Sequence, residues 1–326
     1  MLVFILSAVL LVAFFLFIFN KLTLGISDSA VCLVGKTAIV TGGNAGIGYH
    51  IVRILASRGC RIIIADRDNS DKTREKLINE TKNPNIISKH LDLASFESIR
   101  KFAEEFNNCE ERLDILINNA GVGKSFTDKT VDGFNDVVQI NHLGPFLLTH
   151  LLMDKLKKCA PSRIVNTSSS LAFTNNLTKE NFLTHQNFEY WIIPFNMMTN
   201  YSNTKLEVLM TSNIMAGKLK GTGVTCNAVH PGIARTDLIQ KSMPTNYFAL
   251  WWTIGYNLIT AKNPWEAAQN TVHVATAHEL ENVTGKYFWD CKVFPFLPKP
   301  AQNMEFSRWV YEESEKLVKL KESEKL

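Results

Sequence analysis

The sequence predicts a single α/β domain, a doubly wound parallel sheet with helices on both faces, preceded by an N-terminal transmembrane anchor helix. Three observations point to this. Short β-branched runs alternate with helical patterns along residues 35–300, a glycine-rich turn follows the first strand, and residues 1–19 hold 18 apolar side chains, with Ser7 the exception. A chain of 326 residues, 46% hydrophobic and 20% charged, has ample material for one large core. Its net charge of +4 is too small to suggest nucleic-acid binding. Disorder, a collagen repeat, a disulfide mini-scaffold and a polytopic membrane protein are excluded by the same composition.

The elements follow in order. Residues 1–20 are long enough to cross the hydrocarbon core, with no basic start and no small-residue cleavage pattern around Asn20-Lys21-Leu22. An uncleaved anchor is therefore expected, with a cleaved secretory signal as the alternative. The positive charges beyond it place the domain on the cytosolic side, most simply of the endoplasmic reticulum; lipid-droplet and mitochondrial membranes stay open. The six cysteines are scattered without a C-x-x-C pair, as reduced thiols would be, and no metal site is expected. Sequons at Asn79, Asn166, Asn176, Asn200 and Asn282 are of a kind common by chance.

After a connector (21–34), Lys36–Thr41 reads as a buried strand and Gly46–Ser57 as a helix stopped at Gly59. Arg61–Ala65 is the next strand, and residues 70–83 form a charged helix. Further strands are expected at Ile86–Leu91, Leu113–Ile117, Arg163–Thr167 and Val224–Val229. Residues 301–326 form a charged helical tail, whose last fifteen residues are expected to be solvated, a partner-binding helix being the alternative.

The turn Thr41-Gly-Gly-Asn-Ala-Gly-Ile-Gly48 lies between a strand and a helix, where a dinucleotide needs it. Glycines allow the tight turn and the close approach of backbone to pyrophosphate, and the helix N-terminus presents unpaired N–H groups to the phosphates. Ala65-Asp66-Arg67-Asp68 ends the second strand. Asp66 would accept hydrogen bonds from ribose hydroxyls and repel a 2′-phosphate, favouring NAD(H). Arg67 would pair with that phosphate and keeps NADP(H) open.

Tyr201-Ser-Asn-Thr-Lys205 puts a phenol and an ammonium on one helix face. The ammonium favours phenolate, suiting Tyr201 to proton exchange with an alcohol near neutral pH. Upstream stand Asn118-Asn-Ala-Gly121, Ile140-Asn141 and Asn166-Thr-Ser-Ser-Ser170; downstream stands His230-Pro-Gly-Ile-Ala-Arg-Thr236.

Taken in this order the motifs resemble those of the classical short-chain dehydrogenases/reductases, over about residues 35–290. The resemblance implies a Rossmann-type fold. Asn141-His-Leu-Gly, His230-Pro-Gly, the segment Glu281–Cys291 and the apolar start look like the retinol-dehydrogenase-like branch. That branch usually has a small neutral residue at the Asp66 position and His where Pro145 stands; its habit is NADP.

Carried over residue by residue, the resemblance gives Gly42, Asn44, Gly46, Ile47 and Gly48 to the pyrophosphate and Asp66 or Arg67 to the adenosine ribose. Asp92 and Leu93 would flank the adenine, and Asn119, Ala120 and Gly121 would line the floor. Lys205 would hold the nicotinamide ribose and lower the pKa of Tyr201, the general acid/base. Asn141 would keep a water in the proton relay, and Ser169 would bind the substrate oxygen, although the Ser168–Ser170 triplet leaves a one-residue slip open. Pro231, Gly232, Ile233 and Thr236 would grip the nicotinamide end.

Residues 173–200 and 237–260 are rich in aromatic side chains and are expected to line the substrate cleft. With the anchor they favour a lipophilic alcohol or aldehyde that dissolves in lipid. A retinoid is what the branch implies; a steroid or long-chain lipid aldehyde is the alternative. A catalytically silent membrane-associated binding protein on the same fold is the competing class. A homodimer through the Tyr201 helix is a further implication of the fold.

Overall fold

Alternating side chains of the central strands feed two separate apolar layers. On β1 (Thr37–Thr41) and β2 (Arg61–Asp66), Ala38, Val40, Ile62 and Ile64 join one layer, while Ile39 and Ile63 join the other. All six are buried, as a parallel sheet covered on both faces requires. The computed structural model describes residues 21–123, 129–183, 199–232, 234 and 261–326, together with Leu11, Phe14, Phe15 and Ile18.

Among the described residues the chain continues through α1 (Gly46–Ser57), α2 (Asp71–Thr81), β3 (Ile86–His90), α3 (Phe96–Cys109) and β4 (Ile115–Asn118). Next, α4 (Asp136–Val138) passes through a π turn (Gln139–Leu143) into α5 (Gly144–Leu151). Then come α6 (Met153–Lys158), β5 (Ser162–Thr167), α7 (Thr199–Lys218), β6 (Val224–His230) and α8 (Pro264–Thr276). The last elements are β7 (Tyr287–Trp289), β8 (Lys292–Val293), α9 (Lys299–Gln302) and α10 (Met304–Leu317).

The sheet has the order β3-β2-β1-β4-β5-β6-β7-β8, parallel except for β8. The chain builds outward from β1 to β3 and then crosses to β4 on the other side of β1. The loops after β1 and β4 therefore diverge, which opens a crevice at the carboxyl ends of the strands. One layer packs α1 and α8 on the sheet through Ile51, Leu55, Ala268 and Val272. The other packs α3, α5 and α7 through Phe102, Phe106, Leu148 and Met215. The six expected strands lie within two residues of their expected ends. The three-residue β7 and two-residue β8 are too short for periodicity to reveal.

The N-terminal stretch is described only in part. Leu11, Phe14, Phe15 and Ile18 are helical and exposed, and the rest of residues 1–20 lies outside the described residues. Among the described residues no helix is long and apolar enough to cross a membrane. The connector is well defined. Lys21 pairs with Glu266, Ser27 N–H donates to Gln269 Oε1 (3.3 Å), and Ser29 Oγ donates to the Thr276 carbonyl (3.4 Å). It thus runs along α8 from its first turn to its last.

The charged tail is docked, contrary to a solvated helix. Val310, Tyr311 and Ser314 of α10 are buried, and so are Val318 and Leu320 beyond it. His150 Nδ1 lies 2.9 Å from the Glu324 carbonyl, which can only accept, so Nδ1 carries the proton and Nε2 accepts from the Tyr311 hydroxyl at 3.0 Å. Burial holds the His150 imidazole neutral, its pKa down to about 4. Arg100 pairs with Glu324 at 2.8 Å, tying α3 to the tail. α10 packs along α7, the helix through which a homodimer was expected, and Ser202–Ser212 are all buried. The sequon at Asn166 is likewise a packed group, accepting from Asn118 Nδ2 and donating to Ser212 Oγ.

Tyr311→Ala is expected to destabilise the domain by about 3–5 kcal/mol, the usual cost of emptying a buried aromatic site. Tyr311→Phe, which loses the bond to His150 alone, should cost about 1 kcal/mol. Denaturant unfolding of both variants checks the ordering.

Candidate active site

The crevice between β1 and β4 is closed underneath by one hydroxyl. Thr41 Oγ1, buried at the end of β1, accepts the N–H groups of Asn119 (3.0 Å) and Ala120 (3.1 Å). In return Asn119 Nδ2 donates to the carbonyls of Thr41 (3.0 Å) and Gly42 (3.3 Å). Asn119 is thus a clamp on the glycine turn as well as part of its floor. Gly42 has φ +65°, and a Cβ there would lie 3.0 Å from Ala120 Cα. At Gly48 a Cβ would come 2.0 Å from the Gly42 carbonyl oxygen, so only glycine lets α1 start this close to the turn.

The start of α1 fits a dinucleotide pyrophosphate. Its N-cap, Ala45, supplies no side-chain acceptor, and no acidic residue stands in the first turn, so the N–H groups there face the crevice without a competing carboxylate. Asn44 N–H points at Asp66 Oδ2 (3.3 Å), which joins the end of β2 to the turn. Burial raises the Asp66 pKa, opposed by hydrogen bonds from the backbone of Asp68 and Asn44. Arg67 is exposed, with its Nε 3.7 Å from Asp68 Oδ1. Ile47 packs part-buried against the α1 layer. At the end of β3, Asp92 Oδ1 accepts from Ala94 N–H, while Leu93 is turned into the core and offers only its backbone to an adenine.

Asn141, Gly121 and Lys205 meet on the other side of the crevice. A Cβ on Gly121 would lie 3.2 Å from Asn141 Oδ1 and 3.3 Å from Lys205 Nζ. The π turn aims Asn141 inward, where its Oδ1 accepts from Val122 N–H (2.8 Å) and its Nδ2 donates to the Val122 carbonyl and Thr204 Oγ1. Lys205 Nζ donates to the Thr167 carbonyl at 2.9 Å and lies 5.4 Å from the Tyr201 ring centre. The Ser169 hydroxyl is hydrogen-bonded to the Tyr201 side chain, whereas Ser168 Oγ donates to the Lys205 carbonyl behind the site. Of the serine triplet, Ser169 is the one aimed at Tyr201.

Burial is the largest influence on both members of this pair. Burial pushes the Tyr201 hydroxyl up to about 12, with the Ser169 bond opposing it, and burial brings the Lys205 ammonium down to about 8. The Lys205 ammonium is itself engaged by the Thr167 carbonyl. At neutral pH the pair is a neutral phenol beside a cation.

Pro231 and Gly232 follow β6 beside the site. Gly232 has φ +89°, and a Cβ there would meet Lys262 Cδ at 2.7 Å. Ile233 and Thr236, the other residues expected at the nicotinamide end, lie outside the described residues, as does most of 173–200 and 237–260.

Several contributors were not singled out from the sequence. Thr41, Thr167 and Thr204 act through groups that only tertiary packing brings close. Gly144 has a signal in Asn141-His-Leu-Gly; a Cβ there would meet the Leu93 carbonyl oxygen at 2.7 Å, so it lets α5 approach the adenine edge. His230 Nδ1 accepts from Ser170 N–H (3.1 Å) and fixes the residue after Ser169; burial holds it neutral, its pKa down to about 3, with Lys262 acting in the same direction.

The comparisons with known proteins agree with this geometry. Residues 36–181 match the short chain dehydrogenase family. The chain is 41% identical over 281 residues to retinol dehydrogenase 12 of Bos taurus, covering 86% of this chain and 85% of the relative. The chain is a short-chain dehydrogenase of the retinol-dehydrogenase-like branch. Retinol dehydrogenase 13 of Homo sapiens is 40% identical, with 92% of this chain and 90% of the relative covered. Among solved structures, an uncharacterised protein from Mycobacterium paratuberculosis shares the fold with a TM-score of 0.67 at 24% identity, over 90% of this chain and 98% of that one. The NADP complex of Pseudomonas aeruginosa RhlG shares it with a TM-score of 0.60 at 24% identity, over 78% and 94%. Membership of this branch makes the short-chain dehydrogenase an NAD(P)-dependent oxidoreductase acting on alcohols.

Gly48→Ala should abolish nucleotide binding, because the added methyl collides with backbone rather than with a movable side chain. Thr41→Val leaves two buried N–H groups without their acceptor and should cost about 1–3 kcal/mol of stability. Fluorescence titration with NADH and thermal unfolding read the two effects separately.

Proposed function

We propose that this chain is a membrane-anchored dehydrogenase that interconverts a lipophilic alcohol and its aldehyde or ketone, a retinoid-like substrate being favoured. The observation that carries the reading is that Asn141 and Lys205 meet at Gly121, while the Tyr201 side chain shares a hydrogen bond with Ser169 and its ring lies 5.4 Å from Lys205 Nζ. The names of the relatives support the retinoid class. Steroid and long-chain lipid carbonyls are the alternatives in the assay below. A lost Tyr, Lys or glycine would have favoured a silent binding protein, and Tyr201, Lys205 and the turn glycines are all in place.

Hydride transfer is the chemistry a bound nicotinamide cofactor would supply. The residues that would hold it are Gly42, Asn44, Gly46, Ile47 and Gly48 at the pyrophosphate, Asp92 and Leu93 at the adenine, Asn119 to Gly121 beneath, and Pro231, Gly232, Ile233 and Thr236 at the nicotinamide. Asp66, aimed at the turn beside the adenosine position, supports NAD(H) over NADP(H), because its carboxylate would accept ribose hydroxyls and repel a phosphate. Arg67 is the residue that would favour the opposite choice.

In the reductive direction Tyr201 Oη gives its proton to the substrate oxygen, which Ser169 Oγ also holds. The Lys205 ammonium stabilises the phenolate that forms and binds ribose hydroxyls. Asn141 keeps the water through which the proton is replaced from solvent. A phenol held protonated at neutral pH is ready for this direction, and oxidation runs through the same groups in reverse.

The apolar start would hold the enzyme at the lipid surface. The Lys21–Glu266 pair brings its end to the first turn of α8, beside the 37%-exposed Trp265. The domain would face the cytosol from the endoplasmic reticulum.

Hydride transfer by purified full-length protein, assayed with NADH and NADPH across retinal, steroid and fatty-aldehyde substrates, tests the reading. Tyr201→Phe should lower turnover by about 10²–10⁴-fold while NADH affinity stays within a factor of three. Full activity in that variant would remove the assignment. Reduction should be flat to about pH 7 and fall through pH 8 as Lys205, at about 8, loses its charge. Asp66→Ser should shift the NADH-to-NADPH preference by about 10–100-fold towards NADPH, the worth of a hydrogen bond to a charged group.

A further inference from the structure

The connector that runs along α8 carries an exposed carboxylate to a buried imidazole. The bonds of Ser27 to Gln269 and of Ser29 to Thr276 hold Asp28 over the last turns of α8, where His273 stands. The 3₁₀ turn His278–Leu280, which follows α8, brings Glu279 to the same place. One donor atom from each of Asp28, His273 and Glu279 lies within 4.8 Å of the other two.

His273 is the unusual member. It is 8% exposed, yet its Nδ1 is buried with no hydrogen-bond partner, and its Nε2 lies 4.0 Å from Glu279 Oε1, beyond hydrogen-bond reach. Buried polar side-chain atoms are almost always satisfied, so an imidazole in this state calls for a ligand. The charges around it favour a cation. Asp28 and Glu279 face the ring, and Arg163 opposes them, its guanidinium donating to the Val274 carbonyl and answered in turn by Glu281.

We propose that Asp28, His273 and Glu279 form a divalent-cation site that fastens the connector to the end of α8. Two carboxylate oxygens and one imidazole nitrogen suit zinc or manganese, with water completing the shell. The two carboxylates balance the charge of the ion. The site shares no residue with the nucleotide cradle or with Tyr201 and its neighbours, so it is structural and its presence does not depend on the reaction proposed above. Sequence spacing conceals it, because its ligands come from opposite ends of the chain.

The test uses untagged full-length protein in detergent, stripped with EDTA and dialysed. Mn²⁺ is titrated in and its free-ion EPR signal followed; Zn²⁺ is titrated in parallel by calorimetry, with thermal unfolding recorded at each end point. Expected are one saturable site per chain for at least one of the two ions and a raised midpoint of unfolding. Asp28→Asn and Glu279→Gln, both on exposed side chains, should each weaken binding by at least about tenfold. Glu279→Gln should leave hydride transfer unchanged, so a failed activity assay has no bearing on the metal result. Absence of saturable binding by either ion, or binding that survives both substitutions, overturns the proposal.

Discussion

One hydroxyl at the switch point of the sheet holds the nucleotide cradle together. Thr41 closes β1 against the loop after β4, and Asn119 returns the favour by gripping the two carbonyls that open the glycine turn. Everything above depends on this closure. Gly42 and Ala120 touch because of it, α1 begins where Gly48 allows, and Gly121 is left at the centre of the Asn141–Lys205 pair. The glycines permit the approach, but the threonine and asparagine enforce it.

The electrostatics of the site come from where the helix buries its side chains more than from their mutual distance. Tyr201 and Lys205 are one helical turn apart, yet desolvation moves the phenol up and the ammonium down. The lysine spends its hydrogen bond on the Thr167 carbonyl at the end of β5, which fixes the ammonium to the sheet. His230 does the corresponding service for the serine loop, and it can do so only as a neutral acceptor. The reactive side chains are therefore set by β5 and β6, which run side by side beneath α7.

Much of this was legible in the residues. The alternation of Ile62, Ile63 and Ile64 between layers follows from strand geometry, and Gly42, Gly48, Gly121, Asn141, Ser169, Tyr201 and Lys205 carry motif spacing into one crevice. What stayed hidden depends on contacts between distant segments. Thr41 looks like any strand-end threonine until β4 pairs beside it. The terminal helix, read by its charges, looks solvated; Val310 and Tyr311 become core only because α7 and His150 present a surface for them. Likewise β7, three residues long, exists because β6 offers it an edge.

The docked tail also sets an order of events during synthesis. Tyr311 and Val318 complete the same apolar layer as Ile39 and Leu116, yet they leave the ribosome long after those strands. Until they arrive, the outer side of α7 and the rings of Phe146 and His150 have no cover. The nucleotide half of the sheet can pair early, because β1, β2 and β3 follow one another closely, but the half that carries Tyr201 waits for the end of translation. In this protein α7 is the element whose cover is finished last.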